Sequence, residues 1–394
     1  MAAITDTSHG LAYPVFQPDP VTLPPLAGLA AGWSAVRTCT RALEGMQKEA
    51  IVSESGGGTW RMVCDEGPYL HGTDLAPFPL AFFCTGMVTS FLQELRTLMA
   101  SQGIAYSRLG LQQDNYYSME GSAVAGTMTG SALPVELALV TDAQLSAEQS
   151  RQLLSDAVAA APIGALLRQL LHNTFSITCQ GQPLLPARVG ATSTGVLPHQ
   201  LPDFDALAPV TTPFLPDIIS KLKSAQVQTG VAGGVGSSLT DSQKRVLHMR
   251  GNCALSTDGL METTVELFSP IGSQFRFLAD AGSAFNGQGR APSGLAYLNA
   301  GLAFCYMTQI GRYAHIVRKP LDAYNLVQDM RCSAPGASGN TGKAAEMLPL
   351  ETHVVIDCTH SSDFVRTLVD MSEQTCFLHA ACRDQVKVKL RDQA

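Results

Sequence analysis

The sequence predicts an α+β fold built from two tandem copies of one domain, with central apolar helices packed on antiparallel sheets. Three observations carry this. The chain matches itself without a gap at an offset of 215 residues. Each copy has the same order of elements, strand, helix, strands, helix, with no β-α-β alternation. The longest helical run in each copy is apolar on most sides, unlike a surface helix with one stripe.

The self-match comes first because a missed repeat misreads the whole fold. Gly57, Arg61, Asp65, Gly67, Gly72, Ala76, Pro77, Leu80 and Gly86 recur as Gly272, Arg276, Asp280, Gly282, Gly287, Ala291, Pro292, Leu295 and Gly301. The register continues through Gln113/Gln328, Asp114/Asp329, Pro134/Pro349, Asp142/Asp357, Ser146/Ser361 and Ala165/Ala380. One ungapped register over so long a stretch is a duplication. A fused duplicate reproduces an ancestral two-fold dimer inside one chain, an intramolecular pseudo-dimer.

Each copy reads the same way. A short strand (Thr59–Cys64; Gln274–Ala279) enters an Asp-x-Gly turn and a glycine-rich loop. An Ala-Pro pair then opens a long helix, over about 78–102 and about 293–318, where a missing N–H costs nothing. Strands follow, such as Val135–Val140 and Leu350–Ile356, rich in aliphatic residues and flanked by proline. A second helix closes the unit; Ser146 and Gln149 have capping-box spacing in the first copy. The expected organisation is an N-terminal arm (1–49), a first domain (50–182), a linker arm (183–261) and a second domain (262–394). Within the linker, Asp217–Gln228 reads as a short helix. Ala232–Ser238 has a phosphate-loop look without the Gly-Lys-Ser/Thr ending, and so reads as a flexible arm.

Bulk composition narrows the function. Apolar residues make up 45% and charged residues 15% of 394, which is globular and not disordered. A net charge of −7 gives no basic footprint for nucleic acid or an anionic membrane. The first twenty residues lack a basic and then apolar leader pattern, so a cytoplasmic protein is expected. The 10 cysteines are scattered through an apolar chain, as buried small hydrophobes are.

Two of those thiols stand out, because the repeat supplies an internal control. Cys305, in the long helix of the second copy, faces Ser90 in the first; Cys376, in the closing helix, faces Ala161. A working pair is lost or gained together, whereas two unrelated core cysteines are not linked. Such a pair could reduce a peroxide through a sulfenic acid and a disulfide. Arg312 lies seven residues after Cys305 on the same helix face, with Gln309 between them. The middle of a helix gives Cys305 little help from the dipole of its own helix. His379 follows Cys376 by one turn, which suits a Cys–His pair in a lyase, hydrolase or isomerase. Cys376, His379 and Cys382 also have the look of zinc ligands. One helix cannot easily turn three successive steps toward a tetrahedral ion, so no metal or other cofactor is expected.

The motifs DEG-x4-GTD-x-AP-x-PL from Asp65, AP-x2-L-x5-GL-x2-C ending at Cys305, and E-x2-C from Glu373 together resemble the osmotically inducible protein C and organic hydroperoxide resistance (OsmC/Ohr) superfamily. The resemblance covers about 50–180 and 262–392. It implies an intertwined α+β dimer fold and a thiol peroxidase acting on a small apolar hydroperoxide. Cys305 would be the peroxidatic thiol and Cys376 the resolving thiol. A dithiol or lipoyl-type reductant would be the partner, and a homo-oligomer would be allowed. Arg250, in the Arg250-Gly251 dipeptide, is the candidate for the family's loop arginine. The first copy would then be a half that has lost its site. The sequence departs from the pattern where the family carries a glutamate before the first cysteine, here Leu295 and Ala296, and at Phe377, where it carries proline. Other cysteine chemistry on a small organic molecule, or non-catalytic small-molecule binding, stay open.

Overall fold

The computed structural model describes residues 18–19, 29–123, 125–192, 195–196, 200–209, 215–225, 243–282, 285 and 287–392. After β1 (Pro18–Asp19), the first half runs β2 (Trp33–Ala42), β3 (Lys48–Glu54), β4 (Thr59–Cys64), α1 (Pro79–Ser101) and β5 (Leu109–Gly121). It continues with β6 (Thr129–Ala132), β7 (Val135–Thr141), α2 (Ala147–Ala160), α3 (Pro162–Arg168) and β8 (Thr174–Cys179). A connector holds β9 (Gln182–Leu184), β10 (Gly190–Ala191), β11 (Ala208–Pro209) and β12 (Ile219–Lys223). The second half runs β13 (Gln243–Leu255), β14 (Met261–Ser269), β15 (Ile271–Ala279), α4 (Gly294–Ile316) and β16 (Ala323–Ser333). It ends with β17 (Glu351–Asp357), α5 (Ser362–Thr375), α6 (Phe377–Arg383) and β18 (Val388–Arg391).

The three helices of each half start and stop at the offset read from the sequence: Pro79–Ser101 against Gly294–Ile316, Ala147–Ala160 against Ser362–Thr375, and Pro162–Arg168 against Phe377–Arg383. Ser146 caps α2 in a full capping box, its hydroxyl accepting from Gln149 N–H and the Gln149 side chain accepting from Ser146 N–H.

The fold is mixed α+β, with two main sheets. One has the order β10-β8-β17-β16-β2-β3-β4, the other β12-β15-β14-β13-β5-β7-β18; β9 and β6 add to β8 and β5. Neither sheet belongs to one half. The β2-β3-β4 meander pairs antiparallel with β16, from Trp33↔Ser333 to Arg41↔Asn325. Likewise β13 pairs antiparallel with β5, from Gln243↔Gly121 to Ala254↔Gly110. The sheets are not purely antiparallel. At the joints where β8 meets β17 and β18 meets β7, the last strand of one half runs parallel to a strand of the other.

The layers follow from which element each helix meets. α1 packs on β13, β14 and β5, α4 packs on β2, β3 and β16, and the two helices pack on each other. With a sheet behind and a helix in front, each long helix buries nearly every side, which explains its missing polar stripe. The aromatic ring of Phe82 on α1 bridges the layers, 5.4 Å from Phe277 and 5.2 Å from Phe304 between centroids. The repeated pair Gly86 and Gly301 sets the spacing. A Cβ at Gly86 would lie 2.5 Å from Gly294 O, and one at Gly301 2.6 Å from Phe83 N. Only a residue without a side chain lets the backbones approach this closely.

Two expectations need correction. The boundaries at 49/50 and 261/262 cut through β3 and β14, and β2 and β13 lie in what composition marked as arms. Burial patterns explain the miss: β2 is covered on both faces over much of its length, so its polar residues do not alternate as in a half-exposed strand. Asp217–Gln228 is not a helix where it is described; Ile219–Lys223 is a strand on the edge of β15. The remainder from 226, and the Ala232–Ser238 loop, lie outside the described residues. The connector also crosses the outer face of the first sheet, where Phe204 packs on Cys39, Ile51 and Val327.

Candidate functional site

The two singled-out thiols lie together. Cys305 sits midway along α4, and Cys376 is the joint between α5 and α6, extended at φ −76° and ψ 116°. The Cys305 thiol lies beside the Cys376 thiol and the Leu378 N–H, each close enough to act on its ionisation. Cys376 Sγ accepts from His379 N–H at 3.5 Å as the cap of α6. Both sulfurs therefore face backbone N–H groups at the start of α6, a feature invisible while Cys305 is considered on its own helix. Burial pushes the Cys305 thiol well above its ordinary range, and the neighbouring Cys376 and the Glu66 carboxylate push the same way. All ten cysteines are reduced.

A narrow cleft of about 20 Å³ reaches Cys305. From α4 it receives Cys305, Thr308, Gln309 and Arg312, spaced as one helix face. Arg312 is 3% exposed. The opposite wall comes from the first half, where Glu66 and Tyr69 follow β4. Glu66 accepts from Thr308 Oγ at 2.8 Å and from Tyr69 O–H at 3.2 Å. Burial pushes its carboxyl up, against the pull of the buried Lys48 ammonium. Leu80, Leu247 and Phe377 make the rest apolar.

The offset of 215 residues also carries a signal for Glu66. Its counterpart is Ala281, so the first half keeps the loop carboxylate and the second half keeps the sulfur. A site walled by both halves needs that reciprocal pattern.

The other candidates lie elsewhere. Arg250 is on the outer face of its sheet, held by Asp114 through Nε at 3.0 Å and a second nitrogen at 3.0 Å, with Phe268 beneath it. Alternation along β13 sends Met249 and Gly251 toward α1 and Arg250 away from it, so it does not reach the thiols. The His379 ring stacks on Tyr306 at 4.8 Å and its Nε2 meets Gln328 Oε1 at 3.4 Å. Burial drives its pKa down to about 3, so it is a neutral core ring; the atom that meets Cys376 is its backbone N–H. Arg276 and Arg290 pair with Glu262 and with Asp258 and Asp280.

Cys376, His379 and Cys382 do not converge on a point. Among the described residues, the set whose ligand atoms come within 4.8 Å is Asp329, Glu351 and His353. Arg37 and Arg331 occupy its two carboxylates with bidentate hydrogen bonds, leaving no open face for an ion.

The second pseudo-equivalent place, around Ser90, is the larger cavity, about 110 Å³. There Ser90, Gln93 and Glu94 stand where Cys305, Thr308 and Gln309 stand, and Pro162 replaces Phe377. No helix among the described residues is long and apolar enough to cross a membrane.

No family model matches the chain, and no curated protein matches it. Among solved structures it is similar to an OsmC-like hydroperoxide resistance protein from Jannaschia sp. CCS1, at 21% identity and a TM-score of 0.20. That likeness spans 33% of this chain and 79% of the other. At such a score it carries no argument about this chain, and function rests on the site itself.

Proposed function

We propose that the protein is a thiol-dependent peroxidase with one reaction centre, Cys305 and Cys376, built at the junction of two halves that act as an intrachain pseudo-dimer. The observation that carries this is the meeting of two thiols from separate helices at the end of a cleft lined by both halves.

An apolar hydroperoxide fits the wall of Leu80, Leu247 and Phe377. Cys305, as thiolate, attacks the terminal peroxide oxygen; the O–O bond breaks, the alcohol leaves with one proton, and sulfur becomes a sulfenic acid. The Leu378 N–H stabilises the anionic sulfur, and the Arg312 guanidinium in the same cleft favours the developing alkoxide. The Cys376 thiol then attacks the sulfenic sulfur, releasing water and closing a disulfide. A dithiol of the lipoyl type restores the pair by exchange.

Treating the reduced protein with one equivalent of cumene hydroperoxide and mapping its peptides by mass spectrometry tests this. The expected product is a Cys305–Cys376 disulfide with the other eight thiols intact. Oxidation elsewhere, with this pair still reduced, sinks the reading.

A further inference from the structure

The cavity around Ser90 has lost the sulfur but not the cavity. We propose that it is a binding site for a small organic amine, with an apolar body seated between α1 and α4 and the ammonium directed at Glu54 and Gln93. This inference does not rest on the thiol chemistry at Cys305.

Charge and hydrogen-bond supply define the ligand. The described residues lining the cavity include two carboxylates, Glu54 and Glu94, and no lysine, arginine or histidine. In the thiol cleft the balance differs, because Arg312 joins Glu66 there; the counterpart of Arg312 is Thr97.

Four donors on the inner wall are already engaged. Ser90 Oγ donates to Gly86 O, Thr89 Oγ to Thr85 O, Ser293 Oγ to Glu54 Oε2 at 2.6 Å, and Gln93 Nε2 to Phe285 O at 2.8 Å. One acceptor is not. Gln93 is 7% exposed, and its buried Oε1 accepts no hydrogen bond from any described residue. An unsatisfied buried acceptor of this kind costs stability unless a ligand or water supplies a donor.

Glu94 has a different duty. It accepts from the backbone N–H groups of Ala337 and Ser338 and from the Ser338 hydroxyl, and so anchors the loop that closes one side. That leaves Glu54 and Gln93 as the ligand-facing polar pair, beside apolar Leu295, Phe285, Pro162 and Met261. A carboxyl group that can ionise beside an ammonium, an unfilled acceptor and apolar flanks, with no basic side chain in the described lining, together select a cationic donor.

Protonation gives a second readout. Burial pushes the Glu54 carboxyl up to about 7, moderated by the Ser293 hydroxyl and N–H. The titratable groups around it are Glu94 across the cavity and Cys332 behind it. An ammonium beside Glu54 favours its ionised form, so binding at neutral pH should release protons.

Calorimetric titration of the full chain with 2-phenylethylamine, and with the neutral 2-phenylethanol and anionic 3-phenylpropionate, tests the site. The amine should bind saturably at millimolar concentration, with proton release seen as a dependence of the heat on buffer ionisation. The alcohol and the acid should bind about tenfold more weakly or not at all. Glu54→Gln and Gln93→Leu should each weaken the amine by about tenfold while keeping the melting temperature. Ser90→Phe, which fills the cavity, should abolish binding. Equal affinity for all three probes, no binding of the amine, or full affinity in folded Glu54→Gln overturns the proposal.

Discussion

The thiol cleft and the Ser90 cavity occupy equivalent places, and the difference between them is instructive. Each takes one wall from a long central helix and the other from the loop after β4 or β15 in the opposite half. In one place the helix carries Cys305 and the loop carries Glu66; in the other they carry Ser90 and Ala281. The first is narrow and faces two backbone N–H groups, whereas the second is wider and faces a spare acceptor. Two places matched at the offset of 215 thus share their architecture while differing in charge and contents.

The largest effect expected is at the sulfur. Cys305→Ser should lower hydroperoxide turnover by about 10³-fold or more, whereas Ser90→Cys should not create a second centre, because Ala161 supplies no resolving thiol. Steady-state peroxide consumption with a dithiol reductant checks both. Equal rates in wild type and Cys305→Ser would erase the contrast between the sites. Cys376→Ser should stop after one turnover, leaving a sulfenic acid that dimedone traps.

Both sites depend on the same helix crossing. Gly301→Leu should destabilise the fold by about 3 kcal/mol or more, since even a Cβ would press on the Phe83 backbone. Gly86→Leu should do the same, and thermal unfolding would show whether the two glycine contacts are as equivalent as the repeat implies.

A subtler test concerns charge. Burial raises the Cys305 pKa, and the neighbouring Cys376 and the Glu66 carboxylate add to it, so peroxidase activity should climb as pH rises through the alkaline range. Glu66→Gln removes a negative neighbour, and the rising limb should move to lower pH. A limb that moves to higher pH would assign Glu66 the role of proton acceptor. The smallest effect belongs to Arg250→Ala. Turnover should stay within about twofold, and stability should fall by about 1 kcal/mol, as Asp114 loses a partly exposed partner.

Legibility in the sequence varied with the range of the interaction. Ser146 and its capping partner and the repeated Gly86/Gly301 pair were readable because local chemistry or repetition marks them, whereas the Ala-Pro pairs lie ahead of the caps Phe78 and Ser293 and do not themselves open the helices. Arg250 was misleading because a dipeptide says nothing about which sheet face it occupies. The connector was misread as partly helical because a short edge strand such as Ile219–Lys223 is defined by its neighbour β15 more than by its own residues. His379 has suitable spacing from Cys376, yet stacking on Tyr306 and loss of solvation decide its state.

From residues alone come the repeat, the matched helices and the two thiols without counterparts, since likeness at a fixed offset survives without coordinates. Proximity does not. That Cys305 faces the start of α6, and that Glu66 reaches Thr308 across 242 residues of chain, was decided by strands and helices exchanged between the halves. Such contacts are set by packing and hydrogen bonding in three dimensions, on which sequence separation places no bound.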